Sequence, residues 1–204
     1  MLKKRMTAAM AVMMIGIFAS VAGCGSEQAD QGNQEHQENQ ESTVSDVEEQ
    51  GELPGLVFST QDIYGNEVTE DIFSEYDLTL VNVFATWCSP CVSEMPELAQ
   101  LHKNMAEENV NVLAVVTDAL NERGEADEDA IELAKQIAEM SGAEFTFMVP
   151  DDTNLNGILY QIQAVPTSFF VDSQGMIVGE PYVGARDLAG WTDVVTQVLE
   201  NTGE

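Results

Sequence analysis

Between Leu78 and Met105 the chain passes from a run of β-formers into a helical stripe across a pair of cysteines, and few folds accommodate that order. Leu78 to Ala85 is almost unbroken apolar sequence, the pattern of a strand covered on both faces. Trp87-Cys88-Ser89-Pro90-Cys91 follows, and then Met95, Leu98, Leu101 and Met105 fall on one helical face. Asn111 to Val116 reads as a second buried strand. A polar, acidic stretch from Asp118 to Asp129 leads into a helix marked by Ile131, Ala134, Ile137, Ala138 and Met140 and closed by Gly142. Phe145 to Val149 is a short strand or edge, and Asp151 to Tyr160 a further helix. Thr167–Val171 and Met176–Val183 form two strands joined by the turn Asp172-Ser173-Gln174-Gly175. Leu188, Trp191, Val194, Val195, Val198 and Leu199 mark a terminal amphipathic helix. At the other end, Leu56-Val57-Phe58 and the turn Tyr64-Gly65-Asn66 suggest a short hairpin. Strands alternating with helices predict an α/β domain over residues 53–204, a mixed central sheet with helices on both faces.

Residues 1–23 are set apart from that domain. Lys3, Lys4 and Arg5 precede an apolar run from about Ala8 to Ala22, short for a membrane span and typical of a cleaved leader. The run ends in Val21-Ala22-Gly23-Cys24, which resembles the lipobox of bacterial lipoprotein signal peptides and implies lipidation of Cys24. Residues 24–52 are rich in Glu, Gln, Asp, Asn and Ser, with no Phe, Trp or Tyr and no Lys or Arg, and read as an unfolded acidic tether. A chain of that length spans about 30 Å root-mean-square. The whole sequence holds 36 acidic residues and 7 Lys and Arg, three of them in the leader, so four basic residues oppose 36 acids, a net of about −32. Such a field excludes nucleic acid, whose phosphates need neutralising cations.

With Cys24 assigned to the lipid, Cys88 and Cys91 are the remaining cysteines. A metal site lacks ligands: structural zinc needs four and catalytic zinc about three, and the only histidines are His36 in the tether and His102. A purely structural bridge across two residues closes a very small loop and gives minimal chain-entropy benefit. Exchange chemistry remains. A cysteine at the end of a strand and the start of a helix meets unpaired amide N–H groups and the positive end of the helix dipole, which favour a thiolate. Cys88 is then the nucleophile that forms a mixed disulfide and Cys91 the residue that resolves it. Pro90 suits the first helical turn.

Trp87-Cys88-Ser89-Pro90-Cys91 after an apolar strand, with Ala164-Val165-Pro166-Thr167 before another, resembles the thioredoxin fold. In detail the chain is similar to the TlpA/ResA-like branch of extracytoplasmic thiol-disulfide oxidoreductases, which adds an N-terminal hairpin and a helical insertion. The resemblance implies that Pro166 is a cis-proline facing the disulfide and holding a substrate strand beside Thr167, that Trp87 flanks the nucleophile, and that Pro96 kinks the active-site helix. Thioredoxin keeps an aspartate six residues before the first cysteine, where this chain has Asn82. The ResA-like branch has instead a glutamate three residues after the second cysteine, and Glu94 stands there, which implies a buried acid that accepts the Cys91 proton. Glu97, one turn on, reads as surface.

The resemblance further implies a monomeric disulfide reductase on the outer face of the cytoplasmic membrane that needs no cofactor. It would draw electrons from a CcdA/DsbD-type membrane protein and pass them to a disulfide-bearing extracytoplasmic protein, such as apocytochrome c, another thioredoxin-like protein or a methionine sulfoxide reductase. An oxidant on the same fold is the alternative. A peroxidase would need a Pro-x-x-x-Thr-x-x-Cys setting, and the residues before Cys88 place neither residue at that offset. A Sco-type copper carrier would need three residues between its cysteines. A non-catalytic adaptor would not need the cysteines at all.

Overall fold

The structure, a computed structural model, describes residues 55–202. The expected leader, Cys24 and the tether lie outside them.

A two-stranded antiparallel hairpin, β1 (Ser59–Gln61) and β2 (Glu67–Thr69), precedes a five-stranded sheet. The sheet comprises β3 (Leu78–Phe84), β4 (Val110–Val116), β5 (Thr146–Met148), β6 (Thr167–Asp172) and β7 (Ile177–Val183), in the order β5-β4-β3-β6-β7. β3, β4 and β5 run parallel, β6 is antiparallel to β3, and β7 is antiparallel to β6. Every residue of β3 and β4 is buried, as their unbroken apolar patterns predict. Three α-helices complete the domain: α1 (Ser89–Asn104), α2 (Glu128–Ser141) and α3 (Leu188–Thr202).

Alternation along the strands sends two sets of side chains to opposite faces. Leu80, Phe84, Val112, Ala114 and Phe170 join Met95, Leu98 and Leu101 of α1, Ala134 and Ile137 of α2, and Trp191, Val195 and Val198 of α3. Val81, Val83, Leu113, Val115, Phe169 and Val171 face a second cluster with Leu56, Phe58, Val68, Phe73 and Leu155. Successive crossovers that step the same way along a sheet share its hand and therefore its side, which puts α1 and α2 together. The second face is covered by the hairpin, the 3₁₀ turns Glu70–Glu75 and Ile158–Gln161, and the loop between β5 and β6.

That loop is where the expectation of a helix over Asp151–Tyr160 fails. Asn154, Leu155 and Asn156 have φ of 55°, 53° and 55°, and Gly157 85°, a left-handed turn that asparagine and glycine tolerate better than other residues. The Asp151 carboxylate anchors it, accepting from the Leu155 backbone N–H at 2.7 Å and from the Thr153 hydroxyl. The Asx chemistry of Asp151 overrides the helix expected there. The hairpin strands are also displaced: Leu56 and Phe58 precede β1, and their apolar character reflects docking on the sheet, with Leu56 N–H bonded to the Gly175 carbonyl at 2.8 Å. Met140, expected on the buried stripe of α2, is 74% exposed.

Candidate active site

Cys88 is the N-cap of α1, and it and Cys91 are joined as a disulfide with Cα atoms 5.3 Å apart. The cap is set by a turn in which the Cys88 N–H donates to the Ala85 carbonyl at 3.0 Å. Sulfur Sγ of Cys88 accepts from the Cys91 N–H at 3.3 Å, one of the orphan donors of the first helical turn. Pro90, in that turn, has no N–H to leave unpaired. Cys88 is 5% exposed and Cys91 fully buried, so only the first sulfur offers a partner any surface. The loop leading in is tied to the end of β4: the Thr86 N–H and hydroxyl both donate to the Asp118 carboxylate, at 3.0 and 2.6 Å, and the Thr117 hydroxyl donates to the Phe84 carbonyl.

Glu94 sits one turn beyond Cys91 on the buried side of α1, 2% exposed. Oε1 accepts from the Arg186 backbone N–H at 2.7 Å and from the indole Nε1–H of Trp191 at 2.8 Å; Oε2 accepts from Asn82 Nδ2 at 3.3 Å. Burial raises its pKa above the usual carboxylate value, and these hydrogen bonds, with the nearby Arg186 charge, pull the other way. Asn82, in β3, also donates to the Ser168 hydroxyl of β6 at 2.9 Å.

Across from the sulfurs, the Val165–Pro166 peptide bond is cis and the Val165 carbonyl oxygen lies 3.6 Å from Cys88 Sγ. Thr167 is buried, its hydroxyl donating to the Ala164 carbonyl at 2.8 Å and closing the turn before β6. Trp87, Leu159, Ile162, Ala164 and Val165 line a groove of about 320 Å³ beside the disulfide. Trp87 is 75% exposed there, which excludes a role as a packed core aromatic. The arrangement can do one kind of chemistry well: a first cysteine that reaches the edge of the surface, a second sulfur to displace a partner from it, a buried acid one turn away and a groove for an extended chain.

Pro96 lies within α1 on its exposed side, leaving the Val92 carbonyl without its usual helical donor. Glu97 is not a free surface acid: it is half-buried, and its Oε2 accepts from the Leu188 N–H at 3.0 Å at the start of α3. His102 packs edge-on against Phe145 with centroids 5.8 Å apart, and burial lowers its pKa. Among the described residues no group of three or more His, Cys, Asp or Glu could hold a metal ion. Sequence reasoning missed Trp191, Arg186 and Asp118. Trp191 was read only as core spacing; an isolated arginine in so acidic a chain was the available signal for Arg186.

The model described as the AhpC/TSA family matches residues 52–179. Thiol-disulfide oxidoreductase ResA of Bacillus cereus is 29% identical over 119 residues, 57% of this chain and 62% of that protein. The chain thus spans less than two thirds of that relative's length. Thiol:disulfide interchange protein DsbE of Pseudomonas fluorescens biotype C is 29% identical over 140 residues, 69% of this chain and 70% of that one. Among solved structures, a thioredoxin family thiol:disulfide interchange protein from Chlorobium tepidum TLS superposes with a TM-score of 0.58 at 25% identity, covering 72% of this chain and 95% of the other.

Proposed function

Because this chain belongs to the AhpC/TSA family, has a thioredoxin-like fold and joins Cys88 to Cys91 at a helix N-terminus beside a groove, we propose that it is a thiol-disulfide oxidoreductase. The observation that carries this reading is the placement of the pair: one sulfur at the surface edge and its partner buried behind it. In the reduced form the Cys88 thiolate attacks a substrate disulfide, forming a Cys88–substrate bond and expelling one substrate thiolate. Cys91 passes its proton to Glu94. Its thiolate then attacks Cys88 Sγ, closing the Cys88–Cys91 disulfide and releasing the second substrate sulfur, so that two electrons have moved to the substrate. Trp87, Pro166 and Thr167 shape the place where the substrate strand lies. Pro90 and Pro96 shape the helix that carries the pair.

The proposal extends to setting and direction. Cys24 is the lipid-bearing N-terminus of the mature protein, residues 24–52 are its tether, and residues 53–204 work as a monomer on the extracytoplasmic face. The domain acts as a reductant, recharged by a CcdA/DsbD-type membrane protein. The lipobox-like Val21-Ala22-Gly23-Cys24 supports the anchor. The resemblance to the ResA-like branch supports the direction.

A Cys91→Ala variant expressed in its own cell tests the chemistry: mixed disulfides through Cys88 accumulate and mass spectrometry identifies the partners. An empty trap, while the wild type still cycles between redox states, would overturn the roles of the two cysteines. A midpoint potential more reducing than the surrounding compartment is expected of a reductant, and 30 mV corresponds to about 1.4 kcal/mol. Metabolic labelling with a radiolabelled fatty acid checks the anchor, with the label lost in Cys24→Ser.

A further inference from the structure

The two oxygens of Glu94 are not equivalent. Oε1 carries two short hydrogen bonds, from the Arg186 backbone N–H at 2.7 Å and the Trp191 indole N–H at 2.8 Å, whereas Oε2 has one long bond, from Asn82 Nδ2 at 3.3 Å. A carboxylate oxygen that already accepts from two N–H donors is a poor place for a proton, because the new O–H would compete with both. The buried amide oxygen of Asn82, on the same amide group whose nitrogen donates to Oε2, has no hydrogen-bond partner. Rotation of that amide would turn this acceptor toward a protonated Oε2.

Trp191 is fully buried and held from both sides. The Arg186 guanidinium carbon lies 5.1 Å from the Trp191 ring and 5.1 Å from the Tyr182 ring, and its Nη1 donates to the Gly184 carbonyl at 3.0 Å. Tyr182 meets the indole edge-on at 6.2 Å. The clamp therefore fixes the ring whose only hydrogen-bond donor points at Glu94. A buried indole N–H needs an acceptor, and the one it meets here is the Glu94 carboxylate.

We propose that Trp191 is a positioning residue for proton transfer: with the Arg186 backbone N–H it saturates Oε1 of Glu94 and leaves Oε2, facing Asn82, as the oxygen that takes the Cys91 proton. The inference rests on the reading of Glu94 as proton acceptor. In the step, the Cys91 S–H bond breaks and an Oε2–H bond forms, and the resulting thiolate displaces the substrate sulfur from Cys88. The groups bonded to Glu94 are Asn82 from β3, which also donates to Ser168 of β6, Arg186 from the turn into α3 and Trp191 from α3 itself; Cys91 lies one turn back on its own helix, and Glu97, one turn along α1, is engaged with the Leu188 N–H. Arg186 is the one charged group acting on it.

The test follows thionitrobenzoate release when the reduced protein meets Ellman's disulfide in stopped flow, reading the second, resolving phase relative to the first across pH. The wild-type resolving phase falls on the acid side as Glu94 gains a proton. Trp191→Phe removes a donor that favours the anion. The limb then moves to higher pH, and resolution below it slows about tenfold, the effect of losing one hydrogen bond to a charged group. Substitution of benzothienylalanine, which replaces the indole N–H by sulfur at nearly constant shape, gives the same shift in a fully packed core. The Trp191 indole proton, followed by NMR, titrates with the Glu94 carboxyl carbon in the wild type. If both variants leave the limb in place while Glu94→Gln abolishes it, the role of Trp191 is overturned and that of Glu94 stands. If Glu94→Gln leaves the limb untouched, both fall.

Discussion

At the scale of single residues, Glu94 concentrates the conflict between burial and charge. Its pKa is raised because burial penalises the carboxylate more than three donors recover. A raised acid is favoured by the fold in its protonated form, so its contribution to stability is complete below the ordinary carboxylate value and is lost as pH rises through the shifted one. Glu94→Gln, neutral throughout, should therefore gain in Tm over the wild type between pH 4 and pH 8. Thermal melts at several pH values check this, and a difference that does not grow with pH would show that the carboxylate is not penalised. Cys88 caps a helix and its sulfur receives the Cys91 N–H, and the proposed chemistry needs its thiolate. Reduced Cys88 should react with iodoacetamide at least tenfold faster than a free cysteine peptide at pH 7, where an unperturbed thiol is mostly protonated.

At the scale of elements, caps and ties divide between those that hold the fold and those that hold the site. Asp127 caps α2, its carboxylate accepting from the Ala130 N–H at 3.1 Å, and the helix ends at Gly142 with φ of 67°. Asp127→Ala should cost about 1 kcal/mol by chemical denaturation and leave exchange intact. Asp118 instead ties the segment before Cys88, taking both polar hydrogens of Thr86. Asp118→Ala should cost about 1–2 kcal/mol and also slow exchange, because freed donors let the loop carrying Trp87 and Cys88 move. Equal exchange rates in the two variants would show that the tie is structural only. β3 and β4 were legible as short, almost unbroken apolar runs, and α1 because its apolar residues recur at helical spacing. The Asp151–Tyr160 segment was not: asparagines and a glycine accept left-handed backbone once Asp151 is there to bond it, and spacing carries no record of that bond.

At the scale of the whole molecule, four basic residues stand against 36 acids once the leader is set aside. Lys103, Arg123 and Lys135 lie 3.4, 3.0 and 3.8 Å from Glu144, Glu125 and Glu132, and Arg186 is stacked between aromatic rings. Such pairs are exposed and contribute little, so repulsion among the remaining acids is left to the solvent to screen. Raising ionic strength from 0.01 to 0.15 M shortens the screening length from about 30 to about 8 Å. Tm should rise over that range; a flat or falling Tm would show that self-repulsion does not limit stability. The amino-acid sequence by itself determined the strands and helices around the two cysteines, the pairing of those cysteines by default, and the acidity of the surface, because each is a property of neighbours along the chain or of a simple count. Only the tertiary structure decided what surrounds them. The Val165 carbonyl reaches Cys88 across 77 positions, Asp118 reaches Thr86 across 32, and Arg186 and Trp191 reach Glu94 across 92 and 97. Such meetings depend on which strands pair and on how α3 docks against α1, and no local period encodes them.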